Sequence, residues 1–173
     1  MDEFELTFLA KKEILQKLKG APRKEMLDIY IPRSSKHPTL RIRKSGDRYE
    51  MTKKRPAKEG DSSHQIETTI PLTVEEFSDL SELKGKRVSK DRYIYVEGKN
   101  TYEIDVFKDG LQGLILVDVE FGSNLEKSQF VKPDWVLADV TQEEFTAGGM
   151  LCGKSYSDIS ERLDMLGYSK IVV

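Results

Sequence analysis

The sequence predicts an α+β fold in which an eight-stranded antiparallel β-barrel carries helices packed on its outside. Three observations predict it: eight segments with period-2 alternation, short turns between neighbouring segments, and helical periodicity in the longer gaps. With 173 residues, 38% of them hydrophobic and 34% charged, the chain is predicted to form one domain over residues 1–173 with a buried core.

The strand segments alternate between apolar and polar residues, as strands with one buried face do. Ser45-Gly46-Asp47 and Gly98-Lys99-Asn100 predict tight hairpins, so neighbours from Leu40 onward are expected to be antiparallel. Lys53–Ser63 is polar, contains glycine and is predicted to be a mobile loop. The predicted strands cover about residues 2–9, 26–32, 39–45, 48–54, 64–71, 87–97, 101–108 and 113–121.

Helical periodicity fills the longer gaps between the strands. The clearest helix is predicted over Thr73–Leu83, because Thr73 and Glu76 have the spacing of a capping box and Gly85 follows the end. The other predicted helices cover Lys11–Lys19, Asn124–Phe130 and Ser155–Leu166.

Five segments place charged residues two positions apart, and therefore on the same face of a strand. Solvated strand faces would also alternate, but here the pairs are sorted by sign, and like charges at this spacing repel. The sorting favours a functional purpose over a solubilising one. The acidic pairs are Glu3/Glu5, Glu103/Asp105 and Asp118/Glu120, and the basic pairs are Arg41/Arg43 and Lys90/Arg92.

If the apolar spacers, such as Phe4, Ile42 and Val119, pack outward under the helices, the charged faces line the barrel lumen. A dry core could not hold them, because each unpaired buried ion costs several kcal/mol. The lumen is therefore expected to be wet, metal-filled or anion-filled. Its predicted residues are Glu3, Glu5, Arg41, Arg43, Lys54, Glu67, Lys90, Arg92, Glu103, Asp105, Asp118 and Glu120.

The two signs of charge predict two kinds of ligand. Clustered carboxylates without histidine or cysteine partners suit Mg²⁺ or Mn²⁺ rather than zinc. Arginine and lysine side chains suit phosphates, because a guanidinium fork matches two phosphate oxygens at once. Together they predict a site for a metal-bound polyphosphate.

A set of motifs runs in order along nearly the whole chain. It opens with Glu3-Phe4-Glu5-Leu6-Thr7-Phe8-Leu9. The later members are Leu40-Arg41-Ile42-Arg43, Met51-Thr52-Lys53-Lys54, Lys90-Asp91-Arg92-Tyr93, Tyr102-Glu103-Ile104-Asp105-Val106-Phe107 and Leu116-Val117-Asp118-Val119-Glu120-Phe121. In this order the motifs resemble the CYTH superfamily, the triphosphate tunnel metalloenzymes, whose opening pattern is E-x-E-x-K followed by Phe-Leu.

The resemblance implies an eight-stranded tunnel that binds a triphosphate end-on between basic and acidic walls and hydrolyses it by in-line attack of water. By motif position it implies that Glu3, Glu5 and Glu120 hold the metal that bridges the phosphates, and that Glu67, Asp105 and Asp118 place a second metal or the attacking water. It implies phosphate contacts from Arg41, Arg43, Lys54, Lys90 and Arg92, with Glu103 orienting them.

Two positions depart from the family pattern. Thr7 stands where the family has a lysine that contacts substrate phosphates, and Gln65 stands where relatives often have an acidic residue. If the tunnel simply lacks one cation, Thr7→Lys is expected to raise activity or triphosphate affinity. If the site is instead built around the threonine hydroxyl, the same substitution is expected to abolish activity.

The leading functional hypothesis is a metal-dependent inorganic triphosphatase that uses Mg²⁺ or Mn²⁺ and converts tripolyphosphate to diphosphate and phosphate. The alternatives are a class IV-type adenylyl cyclase, a thiamine-triphosphatase, a nucleoside triphosphatase, and a polyphosphate-binding module that does not hydrolyse its ligand. A net charge of −2 predicts no nucleic-acid or membrane partner. The absence of a recognisable signal peptide and the single Cys152 predict a cytoplasmic location, and the family resemblance makes a homodimer possible.

Overall fold

The structure is a computed structural model that describes residues 2–172, and its main feature is a curled antiparallel sheet. The strands are β1 Asp2–Ala10, β2 Arg23–Ile31, β3 Leu40–Ser45, β4 Arg48–Lys58, β5 Asp61–Leu72, β6 Lys86–Glu97, β7 Asn100–Phe107, β8 Ile115–Phe121 and β9 Val136–Asp139. They are ordered β5-β4-β3-β2-β6-β7-β8-β1-β9, and β5 also pairs with β1. Strands β1 to β8 therefore close a barrel, which confirms the predicted fold class.

Strand β1 pairs along one side with β8, from Phe4 to Leu9. Its other side is divided between two strands: Asp2 to Phe4 pair with β5, and Phe8 to Ala10 pair with β9. Strand β9 was not predicted from the sequence, because it is only four residues long and pairs with a strand far away in the chain. It pairs with β1 beyond the point where β5 begins.

The helices are shorter than the sequence predicted. They are α1 Ile14–Lys17, α2 Val74–Ser81, α3 Asn124–Ser128, α4 Gly148–Leu151 and α5 Ser160–Met165. The capping box of Thr73 and Glu76 at α2 is confirmed. The predicted helix over 155–166 is instead a 3₁₀ turn, Tyr156–Asp158, followed by α5, because Ser155 and Asp158 cap the short turn. Among residues 2–172, no helix has both the length and the apolar composition that crossing a bilayer requires.

The prediction of a mobile loop over Lys53–Ser63 was wrong. Strand β4 continues to Lys58 and β5 begins at Asp61, so a two-residue turn joins two long strands. Several of the turn-proximal side chains, including Arg55, are exposed, so this part of the hairpin lacks the apolar alternation that identifies a half-buried strand.

The apolar spacers pack outward from the lumen, as predicted. Ile104, Val117 and Val119 are buried in the main core, together with residues of the chain that follows β8. Ile42 lies in a smaller core that contains Phe77 of α2. Because successive side chains of a strand face opposite sides, these buried spacers direct their charged neighbours into the barrel.

Candidate active site

A cavity of about 340 Å³ lies inside the barrel. All of the lumen residues predicted from the sequence line it: Glu3, Glu5, Arg41, Arg43, Lys54, Glu67, Lys90, Arg92, Glu103, Asp105, Asp118 and Glu120. Thr7, Asp28, Tyr30 and Thr141 also line the cavity and were not among the predicted site residues. The strand register thus gathers charged groups from all eight barrel strands around one space.

One wall is held together by a buried ion pair between β2 and β3. Arg43 Nε and Nη2 donate to the two carboxylate oxygens of Asp28 at 2.6 and 2.7 Å, and the two residues face each other in the strand register. Burial raises the pKa of Asp28, but the charge and hydrogen bonds of Arg43 outweigh it and hold the pKa well below its usual range. Asp28 therefore stays ionised and keeps the Arg43 guanidinium in place.

Arg41 is held less tightly than Arg43. Its Nη2 lies 4.0 Å from Glu67 Oε2. Its Nε is buried and has no hydrogen-bond partner among residues 2–172. A buried donor without a partner is costly, and a ligand oxygen in the cavity would satisfy it. Arg41 therefore has a donor available for a phosphate oxygen.

A second ion cluster links β6 to β7. Arg92 Nε donates to Asp105 Oδ1 and Nη2 to Oδ2, each at 2.7 Å, and Lys90 Nζ also bonds Asp105 Oδ2. Arg92 Nη1 bonds Glu103. Burial raises the pKa of Asp105, but Arg92 and Lys90 outweigh it and leave the pKa well below normal. Asp105 is thus fully engaged as the counter-ion of two cations.

Carboxylates gather around Lys54. Lys54 Nζ lies 2.6 Å from Glu5 Oε2 and 2.8 Å from Glu3 Oε2. Glu120 faces Glu5 directly across the β1–β8 pair. Burial and the negative charges of Glu103, Glu5 and Glu3 raise the pKa of Glu120, since Lys54 alone does not balance them. This part of the cavity has negative charge that a bound cation would offset.

Asp118 is held by the residue that departs from the family motif. Thr7 Oγ1 donates to Asp118 Oδ1 at 2.8 Å, and Arg92 Nη2 lies 3.6 Å from Asp118 Oδ2. Burial raises the pKa of Asp118 to about 7, with the charges of Glu5 and Asp105 adding to the rise. The hydroxyl at position 7 is therefore in use within the site.

Helix α4 packs so closely against the cavity wall that its two glycines leave no space for a side chain. A Cβ on Gly148 would overlap the hydroxyl oxygen of Tyr30, and a Cβ on Gly149 would overlap the carbonyl oxygen of Pro38. His37 also borders the cavity here, and its Nδ1 lies 3.0 Å from Glu144 Oε1. The two glycines let the chain approach β2 and the segment after it closely.

The donor chemistry of the cavity suits a hard divalent cation, because every carboxylate oxygen there is a hard ligand. Within residues 2–172, however, no three carboxylate, histidine or cysteine side chains converge well enough to hold a metal ion. Glu3 and Glu5 are instead bridged by Lys54. A metal shared between one or two carboxylates and substrate phosphates fits this arrangement, whereas an all-protein metal cage does not.

The residues missed by the sequence analysis lacked the pattern on which it relied. Asp28 stands between Leu27 and Ile29 without a charged residue two positions away, so it looked like an isolated polar residue. Thr141 lies beyond β9, which was itself not predicted. Only the partner across the strand pair reveals Asp28, because Arg43 would otherwise be a buried unpaired cation.

A comparison with protein families decides the family of this chain. The CYTH domain matches residues 1–146. The chain belongs to the CYTH domain family. An inorganic triphosphatase from Nitrosomonas europaea is 38% identical over 110 residues, which cover 61% of this chain and 68% of that protein.

Solved structures support the CYTH fold. The crystal structure of an inorganic triphosphatase matches with a TM-score of 0.59 at 26% identity, over 88% of this chain and 95% of that chain. A conserved hypothetical protein from Pyrococcus furiosus matches with a TM-score of 0.53 at 20% identity, over 97% of this chain and 92% of that one. The second likeness concerns the fold alone.

Proposed function

We propose that the chain is a metal-dependent triphosphatase that hydrolyses inorganic tripolyphosphate to diphosphate and phosphate inside the barrel. The observation that carries the proposal is a single cavity in which Arg41, Arg43, Lys90 and Arg92 share the walls with carboxylates. A linear polyanion complements such cations, and the inorganic triphosphatases that this chain is similar to support the choice of substrate.

The proposed metal is Mg²⁺ or Mn²⁺. Glu3, Glu5 and Glu120 would hold it, because they provide hard oxygens in the part of the cavity with excess negative charge. When bound together with the substrate, such an ion supplies neutralisation of charge on the phosphate oxygens.

The chain's own side chains position the substrate for in-line displacement. Arg41 would donate from its buried Nε to a phosphate oxygen, while Arg43 and Arg92 are already oriented by Asp28 and Asp105. A water oxygen forms a bond to the terminal phosphorus as the bridging P–O bond breaks. Diphosphate and phosphate leave, and one proton of the water passes to solvent.

A substrate panel tests the proposal. Purified protein is incubated with Mg²⁺ or Mn²⁺ and tripolyphosphate, ATP or thiamine triphosphate, and the release of phosphate and of cyclic AMP is measured. We expect tripolyphosphate to give the highest kcat/KM, with activity lost in EDTA and restored by metal. Preferred cleavage of ATP or thiamine triphosphate, or formation of cyclic AMP, would assign one of the alternative activities.

A matched pair of variants in the same panel separates the cavity from the surface. Arg41→Ala removes a cation that lines the cavity, and Arg48→Ala removes an exposed one at the start of β4. We expect only Arg41→Ala to lower turnover. Binding of tripolyphosphate without hydrolysis by the wild-type protein would contradict the proposed enzymatic activity and indicate a polyphosphate-binding module.

The cytoplasmic location and the homodimer stay predictions.

A further inference from the structure

The acidic residues expected to place the attacking water are not equivalent in the structure. Both oxygens of Asp105 are bonded to Arg92, one of them also to Lys90, and the Asp105 side chain is 2% exposed. The Asp118 side chain is 15% exposed to the cavity, and its ion pair with Arg92 is long, at 3.6 Å. Asp118 therefore has accepting capacity that Asp105 has already used.

Asp118 receives its short hydrogen bond from Thr7, whose Oγ1 donates to Oδ1 at 2.8 Å. The two residues face each other in the β1–β8 register, so the contact is fixed by strand pairing. A carboxylate oxygen accepts more than one hydrogen bond, and Oδ2 is free of any contact with Thr7. The hydrogen bond from Thr7 thus orients the Asp118 carboxylate and leaves Oδ2 able to accept a hydrogen bond from water.

Thr7 is itself held from the side of β1 that faces β9. The Thr7 amide donates to Thr141 Oγ1 at 3.0 Å, and the Val140 amide donates to the Thr7 carbonyl at 2.9 Å. Asp139 in turn fixes Thr141, accepting from its amide at 2.9 Å and from its hydroxyl at 2.5 Å. A chain of hydrogen bonds therefore runs from the end of β9 through Thr7 to Asp118.

A lysine at position 7 could not perform this task, because an ammonium on a flexible stem brings a full charge and several rotamers. The branched Thr7 side chain has a restricted χ1 angle, and so the position of its hydroxyl is defined by the backbone. At position 7, where the family motif has a lysine, this chain therefore has a threonine that makes a specific contact with Asp118.

We propose that Thr7, held by the segment Asp139–Thr141, is a positioning residue that orients Asp118 to accept a hydrogen bond from the attacking water. The inference rests on the proposed triphosphatase function. In this chain the hydroxyl replaces the cation of the family motif and contributes to turnover rather than to substrate affinity.

The test compares Thr7→Val, which keeps the branched shape and removes the hydroxyl, with Thr7→Ser, which keeps the hydroxyl. Steady-state kinetics on tripolyphosphate are expected to show kcat lowered about tenfold or more in Thr7→Val, at a KM near that of the wild type. Thr7→Ser is expected to recover most of the loss. Thr101→Val is the control, because Thr101 is an exposed residue of β7 that does not line the cavity.

A second readout does not depend on activity. In protein labelled with ¹³C at aspartate carboxyl groups, the resonance of Asp118 is expected to shift in Thr7→Val and to stay near its wild-type position in Thr7→Ser. An unshifted Asp118 resonance in folded Thr7→Val overturns the inference, as does a wild-type kcat in that variant. A wild-type protein without activity on tripolyphosphate, with the resonance shifted as expected, overturns the proposed function while the hydrogen bond stands.

The contact also selects between the two outcomes that the sequence allowed for Thr7→Lys. Thr7→Lys removes the hydroxyl and places an ammonium beside Asp118, where the two form an ion pair. We therefore expect turnover to fall in Thr7→Lys, whereas a missing cation would have made it rise.

Discussion

At the scale of single residues, the charged side chains of the cavity fall into two groups. Some are already paired with other side chains, and others still have hydrogen-bonding groups available for a ligand. Arg43 donates twice to Asp28 and both oxygens of Asp105 accept from cations, whereas Arg41 retains an unbonded Nε and Asp118 retains cavity exposure. The sequence assigned one role to both arginines and another to both aspartates, because residue type and spacing do not reveal which cross-strand partner each one meets.

The buried pair of Asp28 and Arg43 gives a stability prediction. Arg43→Ala leaves Asp28 buried without its partner, which typically costs about 3 to 5 kcal/mol in the free energy of unfolding. The added substitution Asp28→Asn is expected to recover part of that loss, because the unpaired charge is removed. Urea unfolding of the wild type, both single variants and the double variant gives the interaction free energy between the two side chains. Additive effects would show that the two side chains do not interact.

The raised pKa of Asp118 predicts how stability depends on pH in metal-free protein. Its folded-state pKa of about 7 lies above the unfolded value, so the native state binds more protons between the two. This residue's contribution to the free energy of unfolding therefore falls as pH rises from about 4 to 7. Asp118→Asn is expected to flatten that part of the profile, measured by urea unfolding in EDTA. If the free energy of unfolding of Asp118→Asn depended on pH as steeply as that of the wild type, the raised pKa of Asp118 would be contradicted.

At the scale of secondary-structure elements, α4 depends on two glycines that lie against the barrel. Gly149→Ala would make its Cβ overlap the carbonyl oxygen of Pro38, so one of the two backbone segments would have to shift. We expect a loss of about 1 to 3 kcal/mol in the free energy of unfolding, as for other overpacked sites. Gly122→Ala is the matched control, since its Cβ would meet only the flexible side chain of Glu126 at 3.2 Å. Equal stability of both variants would contradict this packing.

The strands were predicted well where one face is apolar and the other is charged. This holds for β3, β7 and β8, where Ile42, Ile104 and Val119 are buried outside the lumen. Prediction failed where that contrast is absent. The extended β4–β5 hairpin lacks an apolar face near its turn, and β9 is too short to show a period.

At the scale of the whole molecule, barrel closure brings together residues from opposite ends of the chain. Thr7 and Thr141 are 134 positions apart and form one hydrogen bond, and β1 joins β5, β8 and β9. The sequence could predict which faces are charged, and all of its predicted site residues line the cavity. It could not predict Asp28 or Thr141, because their part in the site comes from pairing across strands rather than from local spacing.

The central claim is that the barrel cavity binds and hydrolyses tripolyphosphate. The most direct test is ³¹P NMR of tripolyphosphate with Mg²⁺, followed over time with wild-type protein and with Arg41→Ala. The wild type is expected to convert tripolyphosphate into diphosphate and phosphate in equal amounts, and Arg41→Ala is expected to do so at least about tenfold more slowly, because one charged hydrogen bond is lost. Unchanged tripolyphosphate with folded wild-type protein, or equal rates for both proteins, would contradict the account.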